Sequence, residues 1–265
     1  MAWETRRVFI TVKTYPNPAH KGTEVSCTAA ITEDRSWMRL FPVPFRLLDE
    51  DKQFPRYSWI DVSVQKASDS RPESFNLNPD SIRIVRQVGS ANGWRQRKEL
   101  IYGLKRHCLC CIKQEQEEKG ASAPTLGFFK PAKIEGLSIE ACAPDWTPEE
   151  KAILSQQKFG FLKTPQKSLE KVPYDFKYRF RCAEQRCLGH EPKCLDWEIY
   201  QAYRRWRQKY GDGWKQKVRE RFEDDMIRKY DTHFYVGTVR AHPKEWTIVG
   251  LFYPPQEAQG ALFGL

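Results

Sequence analysis

The segment that decides the fold is Tyr174–Tyr210, with the sequence YDFKYRFRCAEQRCLGHEPKCLDWEIYQAYRRWRQKY. From Tyr174 to Arg181, aromatic residues alternate with charged ones, mostly cations, which is the period-two pattern of a half-buried strand. From Leu195 to Tyr210, apolar residues recur at the spacing of an amphipathic helix. The sequence therefore predicts a strand, a cysteine-rich loop and a basic helix, in that order.

Three cysteines and one histidine lie between this strand and this helix, spaced C-x4-C-x2-H-x3-C. Thiolates and a neutral imidazole suit Zn²⁺ better than Ca²⁺ or Mg²⁺, which prefer oxygen ligands. A complete set of four ligands leaves no position for a catalytic water, so the site is expected to be structural. We predict a structural Zn²⁺ site with the ligands Cys182, Cys187, His190 and Cys194.

The alternative interpretation of these residues is a set of free cysteines around a loop with a surface histidine. Gly189 and Pro192 permit the tight turns that a metal-binding loop requires, and they favour the metal site.

The composition of the whole chain points to a polyanionic partner. Its 265 residues include 44 Lys and Arg against 34 Asp and Glu, a formal net charge of +10. Nucleic acid is the first expectation for such an excess and an anionic membrane the second. The chain has neither an apolar run long enough to span a bilayer nor a secretory signal at its N-terminus. Its eight cysteines are then expected to be reduced thiols. We therefore expect a cytoplasmic protein without a membrane partner.

Residues 7–90 are rich in short alternating runs separated by proline-containing or polar turns. About five such runs at this spacing are typical of a small barrel or sandwich. A five-strand barrel is a common nucleic-acid scaffold, although a fold alone does not establish a function. Cys27 falls on the apolar face of its run, which favours core packing over a nucleophilic role.

A single helix is predicted from Gly93 to about Glu118. Its periodicity places Cys108 and Cys111 on the buried stripe, whereas Cys110 lies off that stripe. Core packing is therefore favoured over a second metal site, which would need four convergent ligands.

Near the C-terminus, Phe234–Val239 and Trp246–Tyr253 flank a short turn and predict a β-hairpin. The fold class that follows is α+β. An N-terminal β-rich small barrel or sandwich precedes a mixed α/β part with a zinc-stapled strand-loop-helix and the C-terminal hairpin. We divide the chain into residues 1–90, the barrel-like domain, 91–172, a helical and mixed connecting region, and 173–265, the zinc-binding unit with the hairpin.

The clustering of cations beside the aromatic strand predicts a nucleic-acid-binding protein, DNA or RNA. Cations hold phosphates and aromatic rings stack on exposed bases. The candidate binding residues are Lys177, Arg179, Arg181, Arg186, Lys193, Arg204, Arg205, Arg207 and Lys209. For the aromatic residues themselves, the strict alternation favours a core position beneath a solvated basic face.

The alternative function is an enzyme that acts on a base or on the phosphodiester of nucleic acid, with the zinc purely structural. Asp196 and Glu198 are its carboxylate candidates, and Cys27 or the Cys108–Cys111 group supplies its thiol candidate. The two carboxylates stand two residues apart at a helix start, so they do not share a face. Favourable charge at a helix N-terminus accounts for both residues without catalysis.

Overall fold

The N-terminal half of the protein is a closed five-strand barrel with two additional strands. The computed structural model describes residues 2–19, 23–155 and 168–256. The strands of this half are β1 (Glu4–Lys13), β2 (Asn17–Ala19), β3 (Thr23–Thr32), β4 (Trp37–Val43), β5 (Ser58–Lys66), β6 (Ser74–Leu77) and β7 (Arg83–Gln87).

Four of the barrel strands form a Greek key. The strands β5, β1, β3 and β4 lie side by side in that order, all antiparallel. This is the arrangement in which the fourth strand returns to lie beside the first. Strand β6 closes the barrel, since it pairs with β5 in antiparallel and with β4 in parallel fashion. Strand β2 extends the sheet beside β3, and β7 extends it beside β5.

The second half of the chain combines helices with two smaller sheets. Its strands are β8 (Lys105–Arg106), β9 (Leu126–Phe129), β10 (Lys133–Ala141), β11 (Tyr174–Arg181), β12 (His233–Val239) and β13 (His242–Phe252). Its helices are α1 (Ala91–Ile101), α2 (Leu109–Lys119), α3 (Pro148–Ser155), α4 (Trp197–Tyr210), α5 (Trp214–Arg219) and α6 (Asp225–Arg228). A π-helical turn at Glu220–Asp224 joins α5 to α6.

One sheet of this half has the order β13-β12-β9-β8, and the other is the antiparallel pair β10-β11. The two faces of the barrel wall contribute to different cores. Val8, Ile10 and Leu40 point inward into the barrel core. Phe9 and Ile31 point outward and pack against Phe128 and Phe252 of the second half. The second half is therefore seated directly on the barrel.

The α+β class, the small N-terminal barrel and the C-terminal hairpin are confirmed. The aromatic face of β11 is core, because Phe176, Tyr178 and Phe180 are all completely buried. Within the part of the chain that the structure describes, no helix is long and apolar enough to cross a membrane.

The predicted helix from Gly93 to Glu118 is wrong in one respect that matters for the site. It is interrupted after Ile101, and Lys105–Arg106 instead joins β9 as a short parallel strand. The second helix begins only at Leu109, with Cys108 as its N-cap. The predicted stripe still falls on buried or partly buried positions, since Cys108 and Ile112 are buried and Cys111 packs against the same core.

His233 predicts a pH dependence of stability. It is fully buried, stacked on the ring of Phe128 at 5.1 Å, and its burial lowers its pKa to about 4. The unfolded chain binds a proton at about pH 6.5, so the native state loses stability as pH falls from about 6.5 towards 4. We expect His233 to account for roughly 3 kcal/mol of that loss.

Urea denaturation between pH 7 and 4 measures this effect. His233→Gln should flatten the pH dependence, whereas the same change at the exposed His107 should not. An unchanged slope in the His233 variant would contradict the assignment.

Candidate metal centre and barrel cavity

A cluster of three cysteines and one histidine lies between α2 and the loop that follows β11. Its members are Cys110, Cys182, Cys187 and His190, whose ligand atoms all lie within 4.8 Å of one another. The Cys110 Sγ is 3.2 Å from the His190 Nε2. Three thiols and one imidazole at this separation can hold a metal ion.

Each ligand is positioned by ordinary backbone structure. Cys110 lies in the first turn of α2, and Cys182 directly follows the last residue of β11. His190 is tied back to β11, because its backbone N–H and C=O both pair with Phe180, at 2.9 and 3.0 Å. Gly189 makes the turn before it with a φ of +101°, a conformation that residues with a side chain rarely adopt.

The environment of the cluster suits metal ligation. Burial lowers the pKa of His190, so the imidazole is neutral at pH 7 and can offer a lone pair. Burial opposes ionisation of Cys187, yet hydrogen bonds, including those from the N–H groups of Cys182 and Gly189, hold the pKa of its thiol below the usual value. Burial raises the pKa of Cys110. A metal ion would supply the charge that keeps such a thiol ionised.

Cys194 does not join this cluster. It is completely buried in the hydrophobic core, and its N–H donates to the carbonyl of Phe176 at 2.7 Å. Burial raises the pKa of its thiol. Of the four ligands predicted from spacing, the structure brings together Cys182, Cys187 and His190, and Cys110 supplies the third thiol.

The neighbours of Cys110 have a different role. Cys108 caps α2 by accepting a hydrogen bond from the N–H of Cys111 at 3.1 Å, and the two sulfur atoms are 2.6 Å apart. Cys108 is fully buried, whereas Cys111 is partly exposed. Cys110 turns away from Cys108 and Cys111, as expected, but its thiol lies in the Cys3His cluster beside the loop of residues 182–190, so core packing does not describe it.

The two ligand sets differ in a measurable way. Cys110→Ser should strongly reduce metal content after purification without added metal, because it removes a ligand of the cluster. Cys194→Ala is the matched control: it should retain metal and lose some stability from the cavity that it leaves in the core. Elemental analysis of both variants distinguishes the two ligand sets. If Cys110→Ser retains the metal and Cys194→Ala loses it, the set predicted from the sequence spacing, which includes Cys194, is correct.

The predicted basic surface is partly neutralised by ion pairs. Strand β10 supplies Glu135 to Arg181 at 2.8 Å and Glu140 to Lys177 at 2.5 Å. Two further cations are paired in the same way: Lys193 with Asp175 at 2.6 Å, and Arg204 with Glu170 at 2.7 Å.

The remaining predicted cations are exposed. Arg207 donates to the hydroxyl of Tyr203 at 2.8 Å. Among residues 2–19, 23–155 and 168–256, no ion pair is formed by Arg179, Arg186, Arg205, Arg207 or Lys209. Of the nine predicted cations, those without an ion pair to a described residue therefore lie on the second half of α4, on β11 and in the loop of residues 182–190.

Asp196 and Glu198 bind Arg56 of the barrel. The Arg56 Nη1 is 3.1 Å from Asp196 and 3.0 Å from Glu198. Asp196 is completely buried, caps α4 through the N–H of Glu198 and accepts a second backbone hydrogen bond from Leu251 at 2.7 Å. Glu198 also accepts a hydrogen bond from Tyr253. Every oxygen of Asp196 thus has a structural partner.

This arrangement predicts a large stability effect. Asp196→Ala removes the buried carboxylate partner of Arg56 and leaves the guanidinium with only the partly exposed Glu198, so it should lower the free energy of unfolding by about 3 kcal/mol. Glu198→Ala should cost less, because its side chain is 38% exposed. Urea denaturation of both variants measures the difference, and a near-neutral Asp196→Ala would show that the pair is not a structural requirement.

A cavity of about 290 Å³ lies between the barrel and the C-terminal hairpin. The barrel contributes residues of β3, β4 and β6, the segment after β1 and the segment after β5. The second half contributes Leu195, Val249 and Thr238–Arg240. Cys27 lines this cavity and is partly exposed, with its sulfur 3.4 Å from Arg39 Nη1.

Two buried arginines in the cavity wall already have counter-ions. Arg39 is 3.5 Å from Glu73, and Arg71 makes a close ion pair of 2.5 Å with Asp69. Arg71 also donates to the carbonyl of Thr238 at 2.8 Å, which ties the wall to the hairpin. The cavity has a mostly apolar lining without an unpaired buried charge among the described residues. Local sequence carries no signal for it, because distant segments form its wall.

Family models cover nearly the whole chain. Residues 105–264 match a model described as a domain of unknown function (DUF8757), which is more than half of the 265 residues. The chain belongs to this family. Residues 4–103 match a second model, also a domain of unknown function (DUF8758). No curated protein matches the chain. Neither description assigns an activity, and the division at residues 90 and 172 stays a prediction.

Proposed function

We propose that the protein binds nucleic acid and that its Cys3His cluster holds a structural Zn²⁺. The barrel and the cavity beside it supply the binding surface. The zinc holds the metal-binding loop against α2.

The position of the cavity is the observation that carries this proposal. Five-strand Greek-key barrels of the OB class bind oligonucleotides on the face of their second and third strands and on the loops that join strands one to two and four to five. In this chain the corresponding strands are β3 and β4, and the corresponding segments are residues 14–19 and 67–73. Cys27, Phe41, Asn17 and Ser68 line the cavity from these four parts.

The distribution of charge supports the same function. Arg205 and Lys209 are exposed four residues apart on α4, so they lie on one face of the helix. Leu195, two residues before α4, lines the cavity. Arg205 is about 12 Å along the helix axis from the start of α4. A strand that leaves the cavity along α4 would have these cations for its phosphates.

The donor set supports zinc as the metal. Three thiols and an imidazole form a closed tetrahedral set, which favours a structural ion over a catalytic one. The elemental analysis described above should therefore find about one zinc per chain. Zinc would join α2 to the end of β11, two segments that are distant in sequence, and removal of the metal by a chelator should lower the stability of the second half.

An enzyme acting on a base is a second candidate, because Cys27 lies in the cavity wall. A cysteine nucleophile usually needs a neighbouring base or a cationic environment that promotes its ionisation. Arg39 is near, but it is also bound to Glu73 and Thr125. The one carboxylate in the cavity wall, within the described ranges, is Asp69, which Arg71 holds. Binding is therefore favoured over catalysis.

The binding function predicts a strong salt dependence. Affinity for a fluorescent single-stranded oligonucleotide should fall on a log–log plot by about 0.7 per phosphate neutralised. Arg205→Gln with Lys209→Gln should weaken binding to all sequences alike and reduce that slope by about 1.4, because phosphate contacts position the strand without reading it. Fluorescence anisotropy at several salt concentrations measures both quantities.

Arg228→Gln is the control. Arg228 is exposed, lies on α6 and not on α4, and already pairs with Asp224 one turn earlier. This substitution should leave affinity nearly unchanged, and all variants should keep their zinc. A wild-type protein that binds no oligonucleotide at low salt would contradict the proposed function.

A further inference from the structure

The cavity beside the barrel has the size and chemistry of a pocket for one planar ring system. We propose that it takes one unpaired nucleobase of a single-stranded nucleic acid, with the adjoining phosphate at the rim beside Arg240. This inference rests on the proposed function and deepens it, because it states what the barrel face recognises.

The volume limits the occupant. Ligand pockets commonly measure roughly 300–1,000 Å³, and this one, at about 290 Å³, lies at the lower end. A single base with part of its sugar fits such a space. A base inside a duplex would have to leave its stack to enter, so unpaired strands are preferred.

The lining supplies an apolar surface of suitable shape. Val25, Pro42 and Val249 form part of the wall, and Phe41 of β4 presents a ring that is 36% exposed. An exposed aromatic ring at a cavity wall can stack on a base, and such stacking contributes to affinity for every base.

The amides of the wall can bind the edge of a base. Asn17 and Asn76 line the cavity, and each amide can donate and accept hydrogen bonds. Amides of this kind bind the ring nitrogens and exocyclic groups of an unpaired base.

The distribution of charge suits a base inside the cavity and a phosphate at its rim. The guanidinium groups of Arg39 and Arg71 are neutralised within the wall by Glu73 and Asp69. Arg240 is different: it lines the cavity, is exposed, and forms no ion pair with a residue that the structure describes. The interior thus favours an uncharged ring, and the rim favours an anion.

A blocking substitution tests the pocket directly. Ser68 is exposed and lines the cavity, so Ser68→Trp should fill its entrance without disturbing a core. Ser70→Trp is the matched control, because Ser70 is exposed in the same loop and is not part of the lining. The probes are the four nucleoside 5′-monophosphates, their nucleosides, and ribose 5-phosphate, which has the phosphate without the base.

We expect mononucleotides to displace a fluorescent single-stranded oligonucleotide and ribose 5-phosphate to fail. Ser68→Trp and Phe41→Ala should each weaken mononucleotide binding by about tenfold or more, whereas Ser70→Trp and Phe41→Trp should keep it. Arg240→Gln should lower the affinity for the nucleoside monophosphates several-fold and leave the affinity for the nucleosides unchanged. Duplex of the same sequence should compete less well than the single strand.

The outcomes separate the two proposals. If oligonucleotides bind with the expected salt slope, but Ser68→Trp binds them normally and no mononucleotide competes, the base pocket is wrong and the nucleic-acid function stands. If nucleosides bind and no oligonucleotide does, both are overturned and the cavity is a site for a small heterocycle. Equal competition by ribose 5-phosphate would show that the site recognises phosphate instead of a base.

Discussion

The buried ion pair between Arg56 and Asp196 is the interaction on which the arrangement of the two halves depends. Arg56 lies just before β5 of the barrel, and Asp196 caps α4. The same guanidinium donates to the carbonyl of Thr11 at 3.2 Å and to that of Leu251 at 2.5 Å. One side chain therefore joins the barrel, the start of α4 and the last strand. Such a pair is costly to break, since either partner alone would be a buried charge.

The cavity is a consequence of this joint. Leu195, next to Asp196, pairs through its backbone with Tyr15 at 3.0 Å and with Ile248 at 2.7 Å. The hairpin is thereby held against the segment that follows β1, and the space left between them is the cavity. Asp196 and Glu198 therefore help to hold one wall of the cavity through Arg56 and Leu251. The structural role also accounts for two carboxylates that the sequence offered as catalytic candidates.

The Cys3His cluster lies in a different part of the molecule and could hold a metal ion. Cys182 and Cys187 lie in a loop that returns to β11 through His190 and Phe180. Cys110 approaches from α2, and Cys108, the residue before this helix, caps it. A metal ion here would add a further link between α2 and the end of β11, whose residues already share one hydrophobic core. The barrel joint and the metal centre are thus two separate connections within one chain.

The sequence by itself determined the features whose signals are local. The alternation from Tyr174 to Arg181 predicted a strand with a buried aromatic face, and the period from Leu195 to Tyr210 predicted a helix. The C-terminal hairpin and the small barrel followed from the same kind of pattern. Local periodicity is reliable here because each element buries one face, and the pattern along the chain records that face.

Only the tertiary structure decided which residues meet. Cys110 is far along the chain from Cys182, so no spacing rule could place its thiol. Cys194 had the right spacing, but the chain carries it into the core before α4 begins. The predicted basic face was likewise reduced by Glu135 and Glu140, which reach it from the neighbouring strand β10. Contacts between distant segments depend on packing, which a one-dimensional pattern does not record.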